Sequence, residues 1–240
     1  MQSFGRFLFR WRSFTPVPLL LLALLLVWLR RGPASPLWLV AGLALCVLGQ
    51  ALRAWVLGQV PDGTSGQNEK LIATQLNTAG PYALTRNPLY LGNLLITLGL
   101  CLVAHSWILL AAVAALFALQ YRAIIAAEEE FLRSQFGAAF DEWCARVPRF
   151  WPRLSASAGA PRPWDWRRAL KKEHNPAASW MTIALALVTI DHLRRGPLLG
   201  YAAALGVIVV LWLAVKSWKH GWLRGNFLKD FRRRLRETAR

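Results

Sequence analysis

The sequence predicts an all-α protein: a polytopic membrane helical bundle of about six transmembrane helices in hairpins, with an additional cytosolic amphipathic helix. Hydrophobic residues make up 55% of the 240-residue chain, and they occur in long blocks. The 13 Trp residues suit a protein that anchors both interfaces of a membrane. The 29 Lys and Arg residues flank the apolar blocks and crowd the C-terminal tail, which is typical of membrane topology and of contact with anionic lipid.

The first two spans lie in the N-terminal part of the chain. Residues 16–29 are apolar but short against the roughly 20 residues that a bilayer prefers. Because Arg30-Arg31 end this run and no small-residue cleavage site follows it, we interpret it as an uncleaved helix and not as a signal peptide. The second span, residues 37–57, contains Gln50 and Arg53 near its far end. Polar groups at this depth either snorkel toward the membrane surface or face the protein interior, and we expect these two to snorkel.

The longest apolar run extends from residue 89 to about residue 127, which is too long for one span. His105-Ser106 divides it into spans over residues 88–104 and 107–127, joined by a very short turn. Such a hairpin returns the chain to the membrane face from which it started. The segments before and after the hairpin are therefore predicted to lie at the same surface.

The C-terminal half begins with a predicted cytosolic helix over residues 128–150, because apolar residues recur there at spacings of three and four. Residues 177–190 and 198–215 form a last predicted hairpin, followed by a basic tail lying along the membrane surface. The expected domains are a membrane core over residues 1–155, an interfacial linker over 156–176, and a hairpin with its tail over 177–240.

The basic residues also predict the orientation. With six spans, 25 of the 29 Lys and Arg residues fall on the side of both termini and both long loops. The short turns hold only Arg30, Arg31, Arg194 and Arg195. The positive-inside rule therefore predicts that both termini face the cytoplasm, and the expected location is a bacterial inner membrane. Because this distribution accounts for the net charge of +17, we expect the lipid bilayer as a partner and no nucleic acid, and we infer no obligate protein partner.

Neither a metal site nor a disulfide framework is expected. The four His residues are scattered without ligand spacing. Cys46 and Cys101 lie in apolar spans, Cys144 lies in the predicted cytosolic segment, and the chain contains no CxxC pair.

Residues 80–93, GPYALTRNPLYLGN, separate a polar loop from the longest apolar run. A proline after Asn87 biases that residue away from the helical region, and Pro88 suits the first position of a helix. The unpaired amides at a helix start carry partial positive charge, and Arg86 adds a full charge beside them. This end of the helix is therefore predicted to attract an anion.

This stretch resembles the Gly-Pro-Tyr … Arg-His-Pro-x-Tyr-x-Gly signature of the isoprenylcysteine carboxyl methyltransferase and phospholipid methyltransferase family. Asn87 stands where most members carry His. A second block is similar to the family's Glu-Glu element and its downstream tail, and the resemblance covers roughly residues 40–155. The matching residues are Gly80, Pro81, Tyr82, Arg86, Pro88, Tyr90 and Gly92 in the first block, and Glu128, Glu129, Leu132, Phe136, Gly137, Val147 and Pro148 in the second.

The resemblance implies an integral membrane methyltransferase that uses S-adenosylmethionine and a lipid or lipidated acceptor, such as a prenylcysteine carboxylate or a phospholipid amine. It implies catalytic roles for Arg86, Asn87 and Glu129. Tyr121 and Arg122 are candidates for contact with the acceptor, or else residues of the aromatic and basic belt. The cofactor-binding residues that the resemblance implies are Tyr82, Arg86, Asn87, Pro88, Tyr90, Gly92, Glu128 and Glu129.

Two other functions remain open. NADPH-dependent sterol reductases have a similar Pro-x-Tyr-x-Gly turn, but an acidic residue usually follows their glycine, whereas Asn93 follows it here. The chain also lacks a dinucleotide fingerprint. A catalytically inert membrane protein of the same fold is supported chiefly by Asn87, because Asn cannot titrate as His can.

Overall fold

The computed structural model describes residues 16–30, 32, 35–61, 73, 75–153, 163–193 and 199–219. Within these ranges every regular element is a helix, which confirms the all-α prediction. The expectations for the N-terminal basic segment, for Arg194 and Arg195 and for the basic tail beyond Lys219 lie outside the described residues. In chain order the helices are α1 (Pro16–Leu29), α2 (Pro36–Gln59), α3 (Pro81–Leu84), α4 (Pro88–Val103), α5 (Trp107–Phe136), α6 (Ala138–Arg146), α7 (Trp166–His192) and α8 (Leu199–Lys219).

The outer surface of the bundle is apolar. Helices α2, α5 and α8 are long and apolar enough to cross a membrane, and α1 and α4 are apolar but shorter. Leu37, Ile108 and Val210 are among the many large apolar side chains that these helices expose. Apolar surface on helices of this length and composition is typical of membrane spans. The protein is therefore a membrane helical bundle, as predicted.

Helices α2 and α4 pack against each other through glycines. A Cβ atom on Gly49 would lie 2.6 Å from the carbonyl oxygen of Gly92, and one on Gly42 would lie 2.6 Å from that of Gly99. The two backbones can approach this closely only because all four residues lack side chains. Gly92, which the motif placed among the cofactor-binding residues, therefore has a packing function in the fold.

The α4–α5 hairpin has the short turn that the sequence predicts. Ser106 caps α5 by accepting a hydrogen bond from the Leu109 amide at 3.2 Å. Helix α5 then continues to Phe136, beyond the predicted end of the span. The predicted helix over 128–150 is interrupted at Gly137, whose φ of 51° favours glycine, and α6 ends at Arg146. The apolar stripe continues across this break, so periodicity alone does not detect it.

Helix α7 also differs from its prediction. It begins at Trp166, inside the segment predicted as a linker, and Pro176 lies within it. Asp165 caps this start by accepting hydrogen bonds from the amides of Arg167 at 2.9 Å and Arg168 at 3.1 Å. The predicted span over 177–190 is thus the C-terminal half of one 27-residue helix.

Candidate functional site

Glu129 on α5 lies where the two sequence blocks meet. Its side chain is 10% exposed, and its Oε1 lies 2.9 Å from Nη1 of Arg86. Arg149 binds the same carboxylate, with Nε 3.2 Å from Oε1 and Nη2 paired to Oε2. A buried carboxylate is therefore held between two guanidinium groups, which satisfies its charge away from water.

The segment after α6 runs alongside the motif and fixes these side chains. The Arg86 amide donates to the Pro148 carbonyl at 2.9 Å, and the Thr85 hydroxyl donates to the Phe150 carbonyl at 2.8 Å. The Arg153 amide donates to the Leu84 carbonyl at 2.9 Å. The tail of the second block is thereby hydrogen-bonded to the first block. Together these bonds explain how residues far apart in sequence share one site.

Asn87 takes part in this attachment. Its side-chain Nδ2 donates a 2.7 Å hydrogen bond to the carbonyl oxygen of Arg149. A neutral His can donate a hydrogen bond from either ring nitrogen, according to its tautomer. At this position Asn therefore performs a donor function that the more usual His could also perform.

Arg149 was missed by the sequence analysis. It directly follows Val147-Pro148, which the motif comparison singled out, and that adjacency is the one signal that could have identified it. Its side chain is 51% exposed, so it covers Glu129 from the outside, whereas Arg86 is largely buried behind it.

Arg86 has a buried side-chain donor that lacks an acceptor among the described residues. Its Nη1 lies 2.9 Å from Glu129 and 2.8 Å from the sulfur of Cys144. Its Nε is buried and has no hydrogen-bond partner among the described residues. Because an unpaired buried donor is costly, this position suits an acceptor atom of a ligand.

Glu128, the neighbour of Glu129, binds the second half of the motif. The Tyr90 hydroxyl donates to its Oε1 at 2.6 Å. The Tyr90 ring packs edge-on against Tyr121, with 4.7 Å between centroids, and Tyr121 stacks on Phe117. Tyr121 thus contacts the predicted site residues. Arg122 is exposed, and no described residue makes a hydrogen bond or ion pair with it.

Tyr82 connects the segment of residues 80–93 to α6. Its carbonyl oxygen accepts a 3.3 Å hydrogen bond from Nε1 of Trp143, and its side chain packs against the buried cluster of Phe140, Trp143 and Val147. Burial of the phenol, together with the negative charge of Glu128, raises the pKa of Tyr82 above its usual range. At neutral pH its hydroxyl is therefore a hydrogen-bond donor and not a base.

A cavity of about 130 Å³ opens beside Pro81 and Tyr82. Its lining includes Gln59, at the end of α2. The Oε1 atom of Gln59 is buried and accepts no hydrogen bond within the described part of the chain. That atom packs against Gly80, where an added Cβ atom would lie 2.1 Å from it, and the sequence analysis did not select Gln59. In the residues that the structure describes, no group of three or more His, Cys, Asp or Glu side chains could hold a metal ion.

Comparisons with known proteins agree with the motifs. Residues 37–139 match the family model described as phospholipid methyltransferase, which confirms the predicted family resemblance. This range includes Glu128 and Glu129 and ends before Arg149 and α7. No solved structure gives a significant match to the chain.

Two curated relatives are metal-resistance proteins by name. The chain is 39% identical over 125 residues to the cobalt-zinc-cadmium resistance protein CzcN of Cupriavidus metallidurans, covering 52% of this chain and 54% of that protein. It is 42% identical over 83 residues to the nickel-cobalt-cadmium resistance protein NccN of Alcaligenes xylosoxydans xylosoxydans, covering 35% of this chain and 38% of that protein. The chain thus spans about half, or less, of the length of these relatives.

Proposed function

We propose that this chain transfers a methyl group from S-adenosylmethionine to a lipophilic acceptor in the membrane, because residues 37–139 match the phospholipid methyltransferase family model. One observation carries the proposal. The ion pair between Arg86 and Glu129, at 2.9 Å, joins the two sequence blocks on which the family resemblance rests. The site therefore combines the buried Arg86, the carboxylates of Glu128 and Glu129, and the phenols of Tyr82 and Tyr90 at one end of the bundle.

The residues present fit the cofactor. S-adenosylmethionine has a carboxylate, a sulfonium and an adenosine with several hydrogen-bond donors. The unpaired Nε of Arg86 and the amides that follow Pro88 suit the carboxylate. Glu128 suits the cationic or donor groups, and Glu129 contributes through Arg86, which it holds in place.

The cofactor, when bound, supplies an electrophilic methyl group, and the chain has to align the acceptor with it and keep water out. Glu129 orients Arg86, because the carboxylate is held on its other side by Arg149. Tyr90 orients Glu128 through the 2.6 Å hydrogen bond. The bulky side chains around Tyr82 close the site toward α6. These residues bind and position; none of them has to form a covalent bond to the substrate.

Calorimetry in nanodiscs tests the cofactor. We expect the wild-type protein to bind S-adenosylmethionine, and Glu129→Gln to weaken that binding at least about tenfold, because a charged hydrogen bond contributes roughly 1.5–3 kcal/mol. The matched control is Arg133→Gln, on the same helix as Glu129, which breaks an exposed ion pair with Asp141 on α6. This control should bind as the wild type does.

The outcomes of this calorimetry separate the three functions. Absence of binding to the wild type overturns the methyltransferase proposal. If NADPH, tested in parallel, binds instead, the reductase alternative replaces it. If neither ligand binds, the chain is the inert protein of the same fold.

The class of acceptor can be identified from the kind of methylated product that the protein forms. A carboxylate acceptor is ionised at neutral pH and needs no base, whereas an amine acceptor must first lose a proton. Membranes that contain the protein can be incubated with S-adenosylmethionine carrying a tritiated methyl group. Alkali releases the label as volatile methanol from a methyl ester but not from an N-methylated amine. The distribution of the label therefore distinguishes a prenylcysteine-like acceptor from a phospholipid.

The proposed location is a bacterial inner membrane with the site and both termini on the cytoplasmic side, supported by the distribution of basic residues. Single cysteines at exposed positions of opposite ends test it, in a Cys144→Ser background where the remaining Cys46 and Cys101 are buried. A membrane-impermeant maleimide should label Leu193→Cys in right-side-out inner-membrane vesicles and Gln135→Cys only in inverted ones. The reverse pattern contradicts the orientation.

A further inference from the structure

Arg53 on α2 is the centre of a polar network inside the bundle. Its side chain is 14% exposed, and its Nε and Nη2 donate to the two carboxylate oxygens of Glu173 on α7, at 2.9 and 2.7 Å. Its Nη1 donates to Oδ1 of Asn93 on α4. The expectation that Arg53 snorkels to the surface is therefore wrong, because a buried carboxylate is available to pair with it.

Glu173 is held in place from a second side. Gln50 donates from Nε2 to its Oε2 at 2.6 Å, and Trp180 donates from Nε1 to Oε1 of Gln50 at 2.9 Å. The carboxylate thus receives three hydrogen bonds from α2, and the Gln50 amide is anchored back to α7. A side chain bound in this way has one orientation.

Asn93 connects this network to the candidate site, because its side chain contacts both Arg53 and Tyr121. Arg53 can only donate, so Asn93 must turn its Oδ1 toward Arg53 and its Nδ2 away from it. That Nδ2 donates to the Tyr121 hydroxyl at 3.2 Å. The Tyr121 ring packs against Tyr90, whose hydroxyl binds Glu128. A continuous set of contacts therefore leads from α7 to a predicted cofactor ligand.

We propose that Glu173 is a positioning residue for the candidate site, acting through Arg53 and Asn93 on Tyr121 and Tyr90. This inference rests on the proposed function, since it assumes that Tyr90 and Glu128 bind the cofactor. Helix α7 lies outside the residues that match the family, so the inference gives the C-terminal part of this chain a role in the site. Glu173 itself touches none of the reacting groups.

The chain offers a matched control on the same helix. Asp191 lies about 27 Å from Glu173 along α7, and it forms a buried ion pair with Arg30 at the other end of the bundle. Glu173→Gln and Asp191→Asn each remove one buried carboxylate charge and leave an arginine unpaired. Both variants should lower the thermal stability. Only Glu173→Gln should affect the candidate site.

The four tyrosines of the chain provide a readout in the ligand-free protein. The protein is labelled with 3-fluorotyrosine, and the four fluorine resonances are assigned with single Tyr→Phe variants. Glu173→Gln should shift the resonances of Tyr121 and Tyr90 and leave that of Tyr201 in place. Asp191→Asn should leave Tyr121 and Tyr90 unchanged, and only Tyr201, which packs on His192 beside Asp191, lies near enough to respond.

Cofactor affinity gives the second readout. Calorimetry with S-adenosylmethionine should give a roughly tenfold weaker affinity for Glu173→Gln and no change for Asp191→Asn. Tyr121→Phe should weaken binding as well, and combining it with Glu173→Gln should add little, because both changes act on the same path. If Glu173→Gln does not fold, the double variant Arg53→Met, Glu173→Met removes both buried charges and should show the same shifts and the same loss.

The two readouts separate the inference from the function on which it rests. Unshifted Tyr121 and Tyr90 resonances in Glu173→Gln overturn the positioning role, whether or not S-adenosylmethionine binds. Equal affinities of Glu173→Gln and the wild type overturn it too. A wild type that does not bind S-adenosylmethionine overturns the proposed function, while the resonances still decide whether Glu173 orients the tyrosines.

Discussion

Glu129 is the buried carboxylate that pairs with both Arg86 and Arg149 in the candidate site. Removing one member of a buried ion pair costs about 3–5 kcal/mol, since the remaining charge is left without a partner. The half-exposed Arg149 keeps part of its hydration, whereas Arg86 and Glu129 depend on each other. The pair therefore fixes the Arg86 side chain before any ligand arrives, and the proposed anion site is preorganised in this sense.

Asn87 is the residue at which a substitution tests the departure from the family signature. Asn87→His should keep both the fold and the affinity for S-adenosylmethionine, because a neutral imidazole can donate to the Arg149 carbonyl in the same way. Asn87→Leu removes the donor of an exposed hydrogen bond, so we expect a loss of about 0.5–1.5 kcal/mol. Thermal unfolding in detergent and calorimetry measure the two effects. Equal behaviour of Asn87→Leu and the wild type would contradict the donor role.

The motif residues were predictable, whereas their partners were not. Arg86, Tyr90, Glu128 and Glu129 stand in patterns that can be read along the chain. Glu173, in the segment Lys-Lys-Glu-His-Asn, reads as a solvated acidic residue among basic ones. Only the packing of α7 against α2 reveals that it pairs with Arg53. Local patterns carry no information about which distant helix supplies the counterion.

The paired glycines of α2 and α4 set the distance between the helix with Arg53 and the helix with Asn93. Gly49→Ala would place a methyl group 2.6 Å from the Gly92 carbonyl oxygen, so we expect a loss of about 1–3 kcal/mol from overpacking. The matched control is Gly206→Ala on α8, where a Cβ atom would have no neighbour within 4 Å. Thermal unfolding should show a lower midpoint for Gly49→Ala alone. Similar midpoints for both variants would contradict close packing of α2 on α4.

Helix positions were predicted well where an apolar run is bounded by proline, glycine or charge. The predictions for α1, α2 and α4 agree with the structure to within a few residues. The break at Gly137 and the start of α7 at Trp166 were missed for different reasons. The break at Gly137 was missed because it depends on the backbone conformation of one residue, and the apolar stripe continues on both sides of it. The second was hidden because Pro176 reads as a helix breaker, although Asp165 was a usable cap signal.

The two ends of the bundle have different compositions. One end holds the Arg86–Glu129 site and the Arg53–Glu173 network behind it. The other end is closed by an apolar core that joins α1, α4, α5 and α7, and by the ion pair of Arg30 with Asp191. The α4–α5 hairpin brings both sequence blocks to the first end, as its length predicted. Helix α7 spans both ends and so connects the site with the structural core.

Photolabelling tests most directly whether the two sequence blocks form one cofactor site. The wild-type protein is irradiated with S-adenosylmethionine carrying a tritiated methyl group, and the labelled peptides are identified by mass spectrometry. We expect the label in peptides containing residues 80–93 and 128–149, displaced by excess unlabelled cofactor and reduced in Glu129→Gln. Label confined to other segments, or label that unlabelled cofactor does not displace, would contradict the site described here.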